Sequence, residues 1–180
     1  EALRQPVVIE NRSGGGGTIA AAQVARSAPD GHTIFMSTIA NTINTSLHSK
    51  LPFDFATDFA PISLVATVPN VLVLNPAVPA TTLKDFIALA KSKPGEINFA
   101  SSGAGSSIHL SGELFNTLAQ VRLVHVPYKG SALAVTDLMS GQVQSMFDNL
   151  SSSLPHIKAG KLRPLAVTSA RRSVAAPDIP

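Results

Sequence analysis

The sequence predicts an α/β fold with parallel-rich sheets, and three observations lead to it. Between residues 97 and 168, short apolar runs alternate with helix-patterned segments at the spacing of βαβ units. The connections that follow those apolar runs are short and polar, as they are where strands end at an open sheet edge. Apolar residues make up 44% of the chain and charged residues 14%, enough to fill a sizeable core and too apolar for a disordered chain.

Taken in order, Pro6-Val7-Val8-Ile9-Glu10 reads as a short buried strand. Gly14 to Gly17 leads into an alanine-rich helix pattern from Thr18 to Ala25, and Pro29-Asp30-Gly31 is a turn. His32 to Ser37 reads as the next strand, followed by a polar loop, Thr38-Ile39-Ala40-Asn41. From Phe59 to Asn75 the chain is β-like, with Val71-Leu72-Val73-Leu74 its most apolar piece. Thr82-Leu83-Lys84-Asp85 has the form of a capping box with Asp in place of Glu, and Leu83, Phe86, Ile87 and Ala90 continue it as a helical stripe until Pro94-Gly95.

The alternation then becomes regular. Strands are expected at 97–100, 122–126, 143–147 and 165–168, with helices near 107–118, 132–139 and 154–159 between them. A lobe boundary is expected near Asn75-Pro76, where an apolar strand meets a Pro-containing connection, and a second crossing between Leu165 and Ser169. This gives residues 1–74, 75–164 and 165–180 as the three stretches of the chain's organisation.

Composition excludes several classes. A net charge of +3, scattered basic residues, one Tyr and no Trp argue against a nucleic-acid partner. Without Cys there is no disulfide, zinc-thiolate site or thiol catalysis. The longest apolar stretch, Ile62 to Leu74, is broken by Pro69 and Asn70, so direct membrane insertion is not expected. Glu1-Ala2-Leu3-Arg4 reads as the last turn of a helix rather than as a signal peptide, which suggests a start that has been removed.

Ligands of parallel α/β sheets bind beyond the carboxyl ends of the strands. Here the post-strand loops are Thr38 to Asn41, Ser101 to Ser107, Tyr128 to Ser131, and Asp148-Asn149. Ser101-Ser102-Gly103-Ala104-Gly105-Ser106-Ser107 is the sharpest of them. Its glycines let backbone approach a ligand, and the free N–H groups of the next helix favour an anion. The alternative is a plain helix N-cap with a flexible loop. Gly14 to Gly17 fits neither a Walker loop nor a dinucleotide fingerprint, and a structural turn is the better reading. Asp148 suits a ligand ammonium, an oriented donor or a turn cap. Tyr128 suits a cleft hydroxyl or a packing aromatic. His109 and Glu113 share a helix face at i and i+4, with His125 the nearest third ligand, and a surface pair or a capping His is preferred to a metal. No Gly-x-Ser-x-Gly elbow or carboxylate pair points to catalysis.

Several strings together resemble the Bug, or tripartite tricarboxylate transporter, family of extracytoplasmic solute receptors. They are Val8-Ile9-Glu10-Asn11-Arg12 with its glycines, Pro29-Asp30-Gly31-His32-Thr33, Leu51-Pro52-Phe53-Asp54, and Asp58-Phe59-Ala60-Pro61. Val68-Pro69-Asn70-Val71-Leu72-Val73, Ser101 to Ser106, His125 to Ser131, Gly141-Gln142-Val143, Phe147-Asp148-Asn149 and Pro155 to Arg163 complete the match along the whole chain. The resemblance implies a two-lobed, type II periplasmic-binding-protein-like fold that closes on a small carboxylate. It implies delivery of that ligand to membrane permease subunits from the periplasm, with no cofactor, no metal and no reaction. Residues 1–74 would then form a partial first lobe, 75–164 the second, and 165–180 a return to the first. The family's Pro-Gly-Gly loop and its C-terminal section have no counterpart here, so the first lobe is expected to be incomplete. Thr38, Asn41 and Asn70 would line the first lobe, and Ser102, Gly103, Gly105, Ser106, Tyr128 and Asp148 the second. The competing readings are a sensor that presents the closed form to a signalling partner, and an α/β hydrolase using a loop serine.

Overall fold

The apolar run 71–74 has no polar face, and in the computed structural model, which describes residues 4–180, it lies at the interior of a sheet covered on both sides. The chain forms two compact units, one ending at Phe59 and the other spanning Ala60–Pro180.

The second unit holds one five-stranded sheet. Its strands are β1 (Asn70–Leu74), β2 (Asn98–Ser101), β3 (Val124–Pro127), β4 (Ser145–Asn149) and β5 (Arg163–Val167), in the order β3-β2-β4-β1-β5. Strands β3, β2 and β4 are mutually parallel, and β1 runs antiparallel to both β4 and β5. The sheet is therefore mixed. Prolines 127 and 164 fall on the two outer strands, where a missing N–H costs no ladder bond.

Helices connect the strands: α3 (Leu83–Ser92), α4 (Ser107–Ala119), α5 (Ser131–Ser140) and α6 (Leu150–Lys158). The capping box expected before α3 is present, with Asp85 N–H donating to Thr82 Oγ1 at 3.1 Å and Thr82 N–H to Asp85 Oδ2 at 3.0 Å. Gly141, at φ 84°, closes α5 as expected. Side chains of successive residues separate onto the two faces. Val71, Val73, Ala100 and Met146 pack with α5 and α6, whereas Leu72, Leu74, Phe99 and Phe147 pack with Phe86 of α3.

The division into compact units falls between Phe59 and Ala60. Strand β1, expected to close the first lobe, is a central strand of the second unit, and β5, expected as a return crossing, pairs with it. Residues 60–69, part of the expected β-like stretch, form no strand and expose Ile62, Leu64 and Val65.

The first unit contains a one-turn 3-10 segment at Gly15–Gly17 and two helices, α1 (Thr18–Ala25) and α2 (Ile39–Leu47). Rings of Phe35, Phe53 and Phe55 surround Phe59 at centroid distances of 5.3 to 5.9 Å. The segments expected as strands at 6–10 and 32–37 form no strand, and Val7, Val8, Ile9, Ile34 and Met36 are exposed. Their pattern is that of strands, but a strand also needs a neighbour to hydrogen-bond, and among the described residues they have none. The polar loop expected at 38–41 is instead the start of α2. The helical turn expected at the chain's first residues lies outside the described residues.

Candidate functional site

Because β2, β3 and β4 point the same way, their carboxyl ends Ser101, Pro127 and Asn149 share one sheet edge. Antiparallel β1 brings its amino end, Asn70, to that same edge, opposite Asn149. Helices α4, α5 and α6 are the next elements after these strand ends. Three helix N-termini, each with the partial positive charge of the helix dipole, thus converge on one edge.

The loop between β2 and α4 is shaped by its own polar groups. Gly103, at φ 131°, donates its N–H to Ser101 Oγ at 3.1 Å. Its carbonyl accepts the Ser106 hydroxyl at 2.8 Å. The same Ser106 Oγ caps α4 by accepting the His109 N–H at 3.2 Å. Gly105, buried and at φ 78°, donates its N–H to His109 Nδ1 at 3.2 Å. These two glycines hold conformations that a side chain would strain. Ser102, between them and the strand, is half-buried, and its hydroxyl has no protein partner among the described residues.

Behind the loop, Ser101 Oγ lies 2.6 Å from His125 Nε2. The His125 ring stacks between Phe99 and His109, at centroid distances of 5.0 and 4.0 Å. Burial, and then the neighbouring His109, hold His125 below the ordinary imidazole value, with Glu113 partly offsetting both. The third ligand weighed for a metal is therefore a ring stacked on the first. Its known nitrogen partner is a serine, and the described residues contain no group of three acids or histidines arranged for a metal.

The remaining expected site residues are brought to this edge but are committed to protein partners. Asp148 is fully buried, with Ser131 Oγ donating to one carboxylate oxygen and Ser153 Oγ to the other at 2.8 Å. Its carboxylate ties the first residue of α5 to the first turns of α6. Tyr128 directs its hydroxyl to Asp137 on α5 at 2.8 Å, and burial followed by that acid raises its pKa above the usual phenol value. Asn70, expected in the first lobe, belongs to this unit. Thr168 Oγ1 accepts its N–H at 3.0 Å, and its amide donates to Ser111 Oγ at 3.1 Å.

In the other unit, Thr38 is the exposed N-cap of α2, and Asn41 is buried beneath it. Asn41 Oδ1 accepts the Thr38 N–H at 3.0 Å, and Asn44 Nδ2 donates to the Gly16 carbonyl at 2.9 Å. The glycine run 14–17 is therefore held as a turn by α2.

Sequence reasoning left out Ser111, Ser153 and Thr168. Their roles depend on pairings across 5 to 98 residues, which no local motif carries. A cavity of about 350 Å³ opens at the opposite sheet edge, among Asn75, Lys93, Glu96 and Gln144. Only β1 ends there, the other four strands beginning at that edge, so it lacks the converging helix N-termini.

Comparison with known proteins identifies the family. The sequence profile of the "Tripartite tricarboxylate transporter family receptor" matches residues 1–180. Protein BugT of Bordetella pertussis is 40% identical over 182 residues, aligning with 100% of this chain and 56% of BugT. The chain spans about half the length of the curated relatives it matches. Among the solved structures it superposes on are a periplasmic transporter, 42% identical at a TM-score of 0.95, and the periplasmic binding protein BugD, 35% identical at a TM-score of 0.90. Two others contain carboxylates. Rpa4515 of R. palustris with adipate is 40% identical at a TM-score of 0.87, covering 96% of this chain and 61% of that one. MatC of Rhodopseudomonas palustris with bound malate is 34% identical at a TM-score of 0.90, covering 99% and 61%. The chain belongs to the tripartite tricarboxylate transporter receptor family.

Proposed function

We propose that the chain captures a small carboxylate at the strand-end edge of residues 60–180, as part of a periplasmic receptor that passes it to membrane permease subunits. The observation that carries this reading is the meeting of three helix N-termini with the Ser101–Ser107 loop on that edge. A helix N-terminus favours an anion by roughly 0.3–1 kcal/mol, and three together suit a carboxylate without a buried arginine. The Ser102 hydroxyl and the first N–H groups of α4 are the donors the loop offers. Gly103, Gly105 and Ser106 give the loop its shape, and Tyr128 and Asp148 fix the helices around it. Thr38, Asn41 and the lobe closure implied by the family resemblance belong to the same proposal. Adipate and malate in the matched structures support a dicarboxylate as the first ligand to try.

The reading includes no reaction. Ser101 and His125 are within hydrogen-bond distance, but Ser101 is fully buried and its oxygen already accepts the Gly103 N–H. A nucleophile needs an accessible oxygen. Thermal unfolding with adipate and with malate tests the proposal. At one hundred times Kd, a ligand that binds only the folded form adds about 2.7 kcal/mol, which raises Tm by about 5–10 °C. The ligand is recovered unchanged, and a fluorophosphonate leaves Ser101 unlabelled. Unmoved Tm across di- and tricarboxylates, acidic amino acids and aromatic acids, or steady consumption of a bound acid, would overturn the reading.

A further inference from the structure

His109 and His125 stand directly behind the glycine loop, and each is connected to one of its glycines. Gly105 N–H donates to His109 Nδ1 at 3.2 Å. Gly103 N–H donates to Ser101 Oγ, which contacts His125 Nε2. A backbone amide is always the donor, so the His109 nitrogen receiving it carries a lone pair. The ring proton is then on Nε2, which faces Glu113 Oε1 at 3.7 Å. The tautomer is set by the loop on one side and an acid on the other.

We propose that His109 is a positioning residue for the carboxylate site: neutral, it accepts the Gly105 amide and keeps the loop in its ligand-receiving shape, and protonation releases the loop and weakens binding. This rests on the carboxylate reading above. A second proton can enter only at Nδ1, the atom that accepts the Gly105 amide. Two N–H donors would then face each other, and the hydrogen bond becomes a repulsion. The loop cannot simply follow, because Ser106 is fixed at both ends and Gly105 is buried.

The surroundings of the ring define which charges matter. Glu113 on α4 is the one acid among the described residues within ion-pair distance of it, and His125 on β3 is the titratable group stacked on it. Strand β2 contributes Ser101 and Phe99, and β1 has no ionisable side chain. The acid of β4, Asp148, has both oxygens occupied by serines. The His125 ring lies 4.0 Å from the His109 ring, centroid to centroid.

Two substitutions separate the ring's roles. His109→Asn places an amide oxygen near the position of Nδ1, an acceptor that does not titrate. His109→Phe keeps a flat ring for the stack but removes the acceptor. The Gly105 amide resonance is followed without ligand between about pH 8 and pH 5, the interval in which imidazoles change charge. Affinity for adipate and malate is measured by calorimetry over the same interval. The expected result is a Gly105 resonance that moves with acidification in the parent protein and stays still in His109→Asn. Parent affinity falls about tenfold on acidification, the size of one lost hydrogen bond, while His109→Asn keeps its affinity throughout. His109→Phe binds about tenfold more weakly at the upper pH already. A Gly105 resonance that ignores pH in the parent protein overturns the proposal, as does a His109→Phe protein with parental affinity and pH profile. Absence of binding by either acid at every pH would exclude these two acids as ligands, and the ligand-free Gly105 resonance would still decide the role of His109.

Discussion

Replacing Asp148 with alanine is expected to cost about 3 kcal/mol of folding stability, because it strips two buried serine hydroxyls of their acceptor. Asp148 is fully inaccessible, and its oxygens are the partners of Ser131, the first residue of α5, and Ser153, in α6. Removing the carboxylate leaves a small cavity and two unpaired hydroxyls in a buried site. Asp148→Asn, which keeps the volume and one acceptor oxygen, should cost less than half as much. Urea unfolding monitored by circular dichroism checks both, with the midpoint falling and the slope unchanged. If Asp148→Ala lay within about 0.5 kcal/mol of the parent, as ordinary surface substitutions do, the network would have no structural weight.

The second large effect is expected at Phe99. Its side chain is fully buried on β2, and its ring lies against α4 where Gly112 has no side chain. An added methyl at Gly112 would overlap that ring, so the glycine is the space the phenylalanine fills. Phe99 also covers one face of His125. Phe99→Ala should cost about 3–5 kcal/mol from lost burial and the cavity left behind. Equilibrium urea denaturation measures this directly. A loss below about 1 kcal/mol would mean that α4 collapses into the space, and would contradict the close packing seen between Gly112 and the ring.

Much of the second unit was legible because its signals are local. Thr82 and Asp85 cap α3 within a single turn, Gly141 ends α5 through its left-handed backbone, and the apolar run of β1 is buried on both faces. Direction was not legible. Nothing in Val71-Leu72-Val73-Leu74 says that the strand runs against β4, and the alternation around it points to a parallel neighbour. Helix α2 was missed because Asn41, Thr42, Asn44, Thr45 and Ser46 are poor interior helix formers. It forms with Asn41 and Asn44 bonded to the glycine turn more than twenty residues earlier. The strand patterns at 6–10 and 32–37 were read on the same local grounds, but pairing is a property of two segments.

The site divides in the same way. The Ser101–Ser107 loop is visible in sequence as Gly and Ser between a strand and a helix, and the structure places it there. The partners that give it shape are not visible. His109 and His125 are sixteen residues apart and meet because β3 lies beside β2 while α4 runs back over the sheet. Asp148 and Tyr128 were marked for possible ligand contacts, and the structure turns both toward protein partners instead.

Carboxylate capture at the strand-end edge is tested most directly by where ligand perturbs the backbone. Amide chemical shifts recorded with saturating adipate or malate should change most from Ser102 to Ile108, with smaller changes at the starts of α5 and α6. Changes concentrated instead at the opposite edge, around Asn75, Lys93 and Gln144, would contradict the account.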